Sequence, residues 1–271
     1  MDTRESWNIA TRHHNAHKGD QAAFLRAGGE VLFDEELDLL GPLGGRRLVH
    51  LQCNSGQDSL ALVRRGAAVT GVDFSPEAIA FARGLSTQTG LAAEFVEAEL
   101  LAWLASTDAR FDLAFSSYGA VGWLPDLDAW ARGIARVLAP GGRFVYVEFH
   151  PLLWSVGPAL RLDGDDYFAE APFDEPVGDY VARSGPGLHA PADAAPGANP
   201  VAARAWQYGL GGIVSALLRA GLALETLREY PHANGCRVHD ALELGPDRRW
   251  RWPAGTARVP LMFGLAATRP A

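Results

Sequence analysis

The sequence predicts an α/β protein whose central sheet is doubly wound and mostly parallel, with an antiparallel closing strand and a lid-like insertion. Two observations predict this fold. From Arg47 onward, apolar runs of strand length alternate with helical stretches, which is the pattern of β-α units in a parallel sheet. After His150 the alternation stops, and it resumes near Trp206 with one more helix and two strands. Such units connect by right-handed crossovers, so a ligand is expected beyond the carboxyl ends of the strands.

The strands are predicted from short apolar segments that turn residues separate. Five of these segments form the parallel part of the sheet, at 48–51, 68–74, 94–98, 111–116 and 143–149. Two later segments, 222–230 and 259–266, are predicted to be antiparallel neighbours at one edge.

The helices are predicted from apolar spacing and from their end residues. Ser75 offers a side-chain cap, Pro76 suits the first helical position, and Glu77 lies beside the positive end of the helix dipole. Together these residues predict a helix over 76–85. The same reasoning predicts helices over 59–65, 127–138 and 206–220.

The chain outside the alternating region is predicted to cover the ligand. Residues 1–46 are interpreted as an N-terminal helical cap segment, and residues 47–271 as the main domain with an insertion at about 151–205. The insertion is first acidic and aromatic and then rich in Ala, Pro and Gly. A long loop of this kind is usually functional or mobile. We therefore expect it to cover the cleft together with N-terminal residues 13–21.

Composition limits the partners. The 271 residues are 48% hydrophobic, which is enough for a sizeable core, and the formal net charge of −8 disfavours a nucleic-acid partner. No apolar run reaches the length of a membrane span, and the N-terminus lacks the pattern of a signal peptide. A cytoplasmic protein with a small-molecule substrate and no membrane partner is expected.

Cysteine and histidine positions give neither a disulfide framework nor a metal motif. Cys53 and Cys236 lack CxxC spacing and are expected to be reduced, buried thiols. His13, His14 and His17 come closest to a metal-binding group, but histidines near a chain start are more often solvated or hydrogen-bonded. No metal is predicted.

A turn of small and polar residues follows the first strand, at 52–56, and leads into a helix. Such a turn lets a ligand approach the backbone and the first helical N–H groups. Asp73 ends the second strand, where its carboxylate can accept both hydroxyls of a ribose. A ribose-containing cofactor is therefore predicted. The nicotinamide alternative needs a GxGxxG turn, which 52–56 does not supply.

Residues 48–149 resemble the class I S-adenosylmethionine-dependent methyltransferases. The second motif, Val72-Asp73-Phe74-Ser75, is intact, whereas in the first motif His50 stands in place of the acid and Gly56 alone of the glycines is kept. The resemblance implies a seven-stranded Rossmann-like sheet and S-adenosylmethionine as cofactor. It implies a ribose contact for Asp73, an adenine contact for Phe74, and a cofactor site built from Gln52, Cys53, Asn54, Gly56, Asp73, Phe74, Glu99, Leu100, Ser116 and Ser117.

Methyl transfer needs an acceptor held in line with the sulfonium, and a base helps without being obligatory. His150 directly follows the fifth strand and Tyr118 ends the fourth, so both are candidate catalytic residues, with His14 as a further candidate base. Tyr118 and Trp123 are candidate acceptor-binding residues. We expect methylation of O or N of a small molecule, with specialised metabolism as one setting. The alternatives are a catalytically silent S-adenosylmethionine-binding protein and an NAD-dependent oxidoreductase.

Several residues also have a purely structural interpretation. Glu99 could be an ordinary solvated acid, and His150 could be hydrogen-bonded to backbone before Pro151. Trp206 is expected in the core, on the apolar face of a helix that it opens. Residues 248–252, which alternate arginine with tryptophan, are expected to form an exposed hairpin before the last strand.

Overall fold

The structure is a computed structural model that describes residues 2–271. Its strands are β1 (Arg47–Leu51), β2 (Ala68–Asp73), β3 (Glu94–Glu97), β4 (Phe111–Ser117), β5 (Leu138–Phe149), β6 (Phe173–Pro176), β7 (Ala202–Ala205), β8 (Ala223–Tyr230), β9 (His232–Asn234), β10 (Glu243–Leu244), β11 (Arg249–Arg251) and β12 (Met262–Thr268). Its helices are α1 (Thr3–His17), α2 (Gln21–Arg26), α3 (Asp34–Leu40), α4 (Gln57–Arg64), α5 (Pro76–Thr89), α6 (Leu100–Ser106), α7 (Leu127–Val137), α8 (Tyr180–Ser184) and α9 (Leu210–Arg219).

Within these residues the main sheet has seven strands in the order β3-β2-β1-β4-β5-β12-β8. Strands β1 to β5 are parallel to one another, and β12 pairs antiparallel with both β5 and β8. The predicted fold class is therefore confirmed. In the register of the sheet, Leu51 lies opposite both Val72 and Ser116, so the loops after these strands meet at one edge.

Two layers of helices bury the two faces of the sheet. On one face Trp130 of α7 is fully buried, with its ring centroid 5.4 Å from that of Phe144 and 5.6 Å from that of Tyr146. On the other face Leu62 of α4 packs in one cluster with Phe115. Burial of each such side chain contributes about 1.5–3 kcal/mol. The sheet is therefore a rigid support for the loops at its edge.

The end residues of the helices explain most boundaries. Ser75 Oγ accepts a hydrogen bond from the Ala78 N–H at 3.1 Å and Pro76 is the first residue of α5, as predicted. Helix α6 was not predicted because it is short. Helix α9 begins at Leu210 rather than at Trp206, so the expectation that Trp206 opens a helix is wrong. Helix α7 ends at Val137, and residues 140–142 belong to β5.

The insertion is more ordered than a long structureless loop. Strands β6 and β7 pair antiparallel, and α8 follows β6. The insertion docks on α1 and its N-cap through hydrogen bonds: the buried Ser6 Oγ accepts one from the Val177 N–H at 3.0 Å, and the Asp2 N–H donates to the Ala202 carbonyl at 3.1 Å. The N-terminal helix and the insertion thus form one covering layer.

Strands β9, β10 and β11 form a small separate sheet. The expectation of an exposed hairpin at 248–252 is wrong, because Trp250 and Trp252 are 8% and 7% exposed. The Trp250 indole N–H donates to the Gly235 carbonyl at 2.8 Å, and Arg249 pairs with Glu35 at 3.0 Å. The tryptophans therefore anchor this small sheet to the main domain, and they are not available to stack on bases.

Candidate functional site

A cavity of about 660 Å³ lies at the carboxyl ends of β1, β2, β4 and β5. We call the loops that follow these strands the floor, and we call α1, α2, α3, the insertion and the small sheet the roof. Both regions contribute side chains to the cavity wall. The position agrees with the expectation that ligands bind beyond the carboxyl ends of parallel strands.

The turn after β1 has a tightly determined backbone. Gln52 and Asn54 adopt left-handed conformations, with φ of 52° and 47°. The Asn54 N–H donates to Asp73 Oδ2 at 2.9 Å, which joins the first turn to the end of β2. Gln52 Nε2 donates to the Ala120 carbonyl at 2.8 Å, while its Oε1 is buried without a hydrogen-bond partner. Both side chains line the cavity, so this orphan oxygen is available to a donor on a ligand.

Asp73 lies where the motif predicts and lines the cavity. It is 7% exposed, and each carboxylate oxygen accepts one backbone N–H, from Asn54 and from Ser75 at 2.9 Å. Burial raises its pKa to about 6 despite these hydrogen bonds. Each oxygen keeps further acceptor capacity, which fits the two hydroxyls of a ribose. Phe74, half-buried beside it, supplies an aromatic wall.

Gly56 and Cys53 shape the turn without chemistry of their own. A Cβ atom on Gly56, whose φ is 77°, would lie 2.8 Å from the Phe95 ring and from Ala82, so only glycine fits there. Cys53 lines the cavity, and burial raises the pKa of its thiol well above the ordinary value. A neutral thiol is a poor nucleophile, which agrees with a packing role.

Tyr118 at the end of β4 belongs to a buried polar cluster. Its hydroxyl donates to Glu36 Oε1 and accepts a hydrogen bond from Asn234 Nδ2 at 2.9 Å. Burial and the charge of Asp58 raise the pKa of Glu36 to about 8, so this carboxyl is mostly protonated at neutral pH. Burial and Glu36 also raise the pKa of Tyr118 well above its ordinary value. Tyr118 is therefore a hydrogen-bonding group of the wall and not a base.

His14 lies on the roof with a defined orientation. It is 2% exposed and lines the cavity, and its Nε2 lies 3.1 Å from the Gly178 carbonyl oxygen. This contact requires the proton on Nε2, which leaves Nδ1 as a bare acceptor, and Nδ1 is buried without a partner. Burial lowers the pKa of His14 to about 4, so the imidazole is neutral at physiological pH.

Aromatic side chains form the remaining wall. Trp123 follows β4 and packs edge-on against Trp7 of α1, with ring centroids 5.4 Å apart. Trp206 is half-buried and lines the same cavity, and its backbone N–H donates to the Gly122 carbonyl at 2.7 Å. The predicted place of Trp123 at the cavity agrees with the structure, whereas Trp206 lies at the wall rather than in the core.

Some predicted residues do not reach the cavity. The Glu99 carboxylate caps α6, accepting the Leu101 and Ala102 N–H groups at 3.0 and 2.7 Å, and Glu99 does not line the cavity, so its place in the cofactor site stays a prediction. Leu100 and Ser116 are buried in the core side of their elements and do not line the cavity. Ser117 does line it.

His150 is also directed away from the cavity, which corrects its assignment as the first candidate base. Its Nδ1 accepts the Leu152 N–H at 3.2 Å, its Nε2 lies 3.0 Å from Glu229 Oε1, and its ring packs edge-on against Phe263. His150 therefore does not line the cavity, although its neighbours Phe149 and Pro151 do.

Glu36 and Asn234 are site residues that the sequence analysis missed. They lie about two hundred positions apart and meet only through Tyr118. Neither stands in a motif, so no local pattern marks them. Asn234 is 2% exposed and lines the cavity, and its Oδ1 has no hydrogen-bond partner.

Residues 2–271 contain no group of three or more His, Cys, Asp or Glu side chains arranged to hold a metal ion. In the same residues no helix is both long and apolar enough to cross a membrane.

Comparisons with known proteins agree with this geometry. Residues 49–142 match a family described as "Methyltransferase domain". The chain is 37% identical over 117 residues to a demethylmenaquinone methyltransferase of Thermus thermophilus, covering 42% of this chain and 52% of that one. It is 35% identical over 102 residues to a ubiquinone biosynthesis O-methyltransferase of Xylella fastidiosa, covering 38% and 41%. The matches thus span about half the length of these relatives.

Among solved structures, a putative S-adenosylmethionine-dependent methyltransferase from Listeria monocytogenes superposes with a TM-score of 0.61 at 16% identity. The alignment covers 88% of this chain and 97% of that one. At this identity the likeness is one of fold, and it extends beyond the segment that matches the family.

Proposed function

Because the chain carries a class I S-adenosylmethionine-dependent methyltransferase domain, as its motifs predict, we propose that it methylates an oxygen or nitrogen of a small molecule inside the cavity. One observation carries the proposal: Asp73, Tyr118, Trp123 and His14 line the same cavity of about 660 Å³. It offers room for an acceptor beside the cofactor. The name of the Xylella fastidiosa relative specifies O-methylation, which supports oxygen as the acceptor atom.

The residues of the floor fit the cofactor. Asp73 would hold the ribose, Phe74 would pack beside the adenine, and Gln52 and Asn54 would line its methionine end. When bound, S-adenosylmethionine supplies an electrophilic methyl group on a sulfonium. The floor fixes the position of the cofactor, and the roof excludes water from the reacting atoms, which is where much of the acceleration of a displacement can arise.

His14 is the base that the geometry favours. Its bare Nδ1 can accept the hydrogen of an acceptor O–H or N–H while Gly178 holds Nε2 in place. An alcohol that gains a methyl group becomes strongly acidic, so a base of low pKa is sufficient to take its proton. Tyr118 positions the acceptor through its ring and through Asn234, and Trp123 supplies a wall.

Calorimetry and a turnover assay test the proposal together. S-adenosylmethionine and S-adenosylhomocysteine are expected to bind, and NAD is not, because the turn at 52–56 has no pyrophosphate-binding glycines. Formation of S-adenosylhomocysteine should then be measured with a panel of phenols, hydroxy acids and heteroaromatic amines. Binding of the cofactor without turnover of any acceptor would favour a catalytically silent protein instead.

A further inference from the structure

Two opposite charges face the cavity without being paired. Lys18, the only lysine in the sequence, caps the carboxyl end of α1, and Asp58 lies in the first turn of α4. Both side chains line the cavity. Within residues 2–271, neither the Lys18 ammonium nor the Asp58 carboxylate has an ion-pair partner within 4.0 Å.

Hydrogen bonds join the two helix ends that carry these charges. Asn15 Nδ2 donates to Ser55 Oγ at 2.9 Å, and Gln57 Nε2 donates to Asn15 Oδ1 at 3.3 Å. The end of α1 is thereby fastened to the start of α4. Burial raises the pKa of Asp58, and the nearby Lys18 opposes that shift. The two groups are close enough to influence each other, but they leave a gap between them.

The first strand provides no charge that could close this gap. His50 stands where the resembled methyltransferases have an acid, and burial lowers its pKa to about 3, so it is neutral at physiological pH. Its Nδ1 is engaged with Ser59 Oγ at 2.8 Å. An ammonium group at this end of the cavity therefore needs its carboxylate from another element.

We propose that Lys18 and Asp58 form a clamp for the amino-acid end of the cofactor, with Lys18 binding the α-carboxylate and Asp58 the α-ammonium. The inference rests on the proposed function and adds to it a site for a zwitterion. An α-amino acid carries both charges on neighbouring atoms, so one such group fills the gap and neutralises both side chains. Buried charges without partners are costly, which makes the occupied clamp the more stable state.

Two probes separate the clamp from the rest of the cofactor site. S-adenosylhomocysteine has the amino-acid end, whereas 5′-methylthioadenosine keeps the adenosine and the thioether but lacks it. Lys18→Met and Asp58→Asn are each expected to weaken S-adenosylhomocysteine about 10- to 100-fold in calorimetry, the range of a lost charge-assisted hydrogen bond. Affinity for 5′-methylthioadenosine should stay within about twofold. Asp73→Ala should weaken both probes.

Arg12→Met is the matched control, because Arg12 lies on α1 outside this cavity and pairs with Glu77 at 3.0 Å. It should leave both affinities unchanged. Lys18→Gln and Asp58→Ala serve as second variants where thermal melting shows that the first do not fold. The clamp is overturned if the Lys18 and Asp58 variants bind S-adenosylhomocysteine like wild type, or if they weaken both probes equally. Failure of the wild type to bind S-adenosylhomocysteine would overturn the proposed function as well.

Discussion

The floor of the cavity is built by short loops that follow neighbouring strands, whereas three distant stretches of chain assemble the roof. Floor residues such as Asn54 and Asp73 contact each other through backbone N–H groups. Roof residues such as His14 and Gly178 meet across 164 positions of sequence. The loops after β1, β2 and β4 also lie within the segment that matches the family, whereas the loop after β5 and the roof lie outside it. We infer that the floor holds most of the cofactor, with Lys18 of the roof at its amino-acid end, and that the roof also helps to select the acceptor and assists the chemistry.

The largest expected effect tests the roof. His14→Gln keeps an amide N–H for the Gly178 carbonyl but removes the basic Nδ1, so we expect the methyl-transfer rate to fall about 10²–10⁴-fold. Affinity for S-adenosylhomocysteine should stay within about threefold, which is under 1 kcal/mol. The rate is measured as S-adenosylhomocysteine formed from an acceptor that the panel identifies.

His13→Gln is the control for this variant. His13 is the neighbour of His14 but does not line the cavity, and its Nε2 lies 3.2 Å from the Ala198 carbonyl oxygen. Its rate should equal that of wild type. An unchanged rate for His14→Gln would show that the roof contributes no base. Floor and roof would then differ only in which ligand they bind.

The next effect tests the floor. Asp73→Ala should weaken S-adenosylhomocysteine by about 1.5–3 kcal/mol, because a charge-assisted contact to the ribose is lost. Calorimetry measures this change, and thermal melting shows whether the variant, which also frees two backbone N–H groups, is folded. Glu97→Ala is the matched control, since Glu97 lies opposite Asp73 in the register of β3 but is exposed and outside the cavity. Equal affinities for the two variants would remove Asp73 from the site.

The floor was predictable from sequence because each of its residues follows its own strand directly. Asp73 and Gln52 could be located from strand ends alone, and the cap at Ser75 from its neighbours. Glu99 shows the limit of this reasoning: its position after β3 is right, but its carboxylate is used by the N–H groups of α6, a helix too short to predict.

The roof was only partly predictable. The polarity of residues 13–21 was enough to predict that they cover the cavity. The positions of Glu36 and Asn234 in the site depend on tertiary contacts that no local sequence pattern contains. The assignment of His150 failed for the same reason. Its Nε2 lies beside Glu229 of β8, a tertiary neighbour that the residues around the end of β5 do not reveal.

A smaller effect concerns the pH dependence of the floor. The pKa of Asp73 is raised to about 6, so the free protein takes up a proton there as the pH falls through 6. Ribose hydroxyls are expected to bind the ionised carboxylate, and binding below this pKa must first release that proton. The affinity for S-adenosylhomocysteine should therefore be constant above about pH 7 and fall about tenfold from pH 7 to pH 5. Asp73→Asn should abolish this dependence, and its persistence in that variant would assign the titration to another group.

The smallest expected effect is that of His150→Ala on the reaction. His150 is buried and does not line the cavity, its Nδ1 accepts the Leu152 N–H and its Nε2 lies 3.0 Å from Glu229 Oε1, so the ring is held away from an acceptor in the cavity. We expect turnover and S-adenosylhomocysteine affinity to stay within about twofold of wild type. Stability should fall by about 1 kcal/mol, because the side chain caps the turn that follows β5. Thermal melting and the turnover assay, run on the same preparation, separate these two consequences. A rate loss as large as that of His14→Gln, with the melting temperature unchanged, would show that the end of β5 takes part in the chemistry. The base would then belong to the floor and not to the roof.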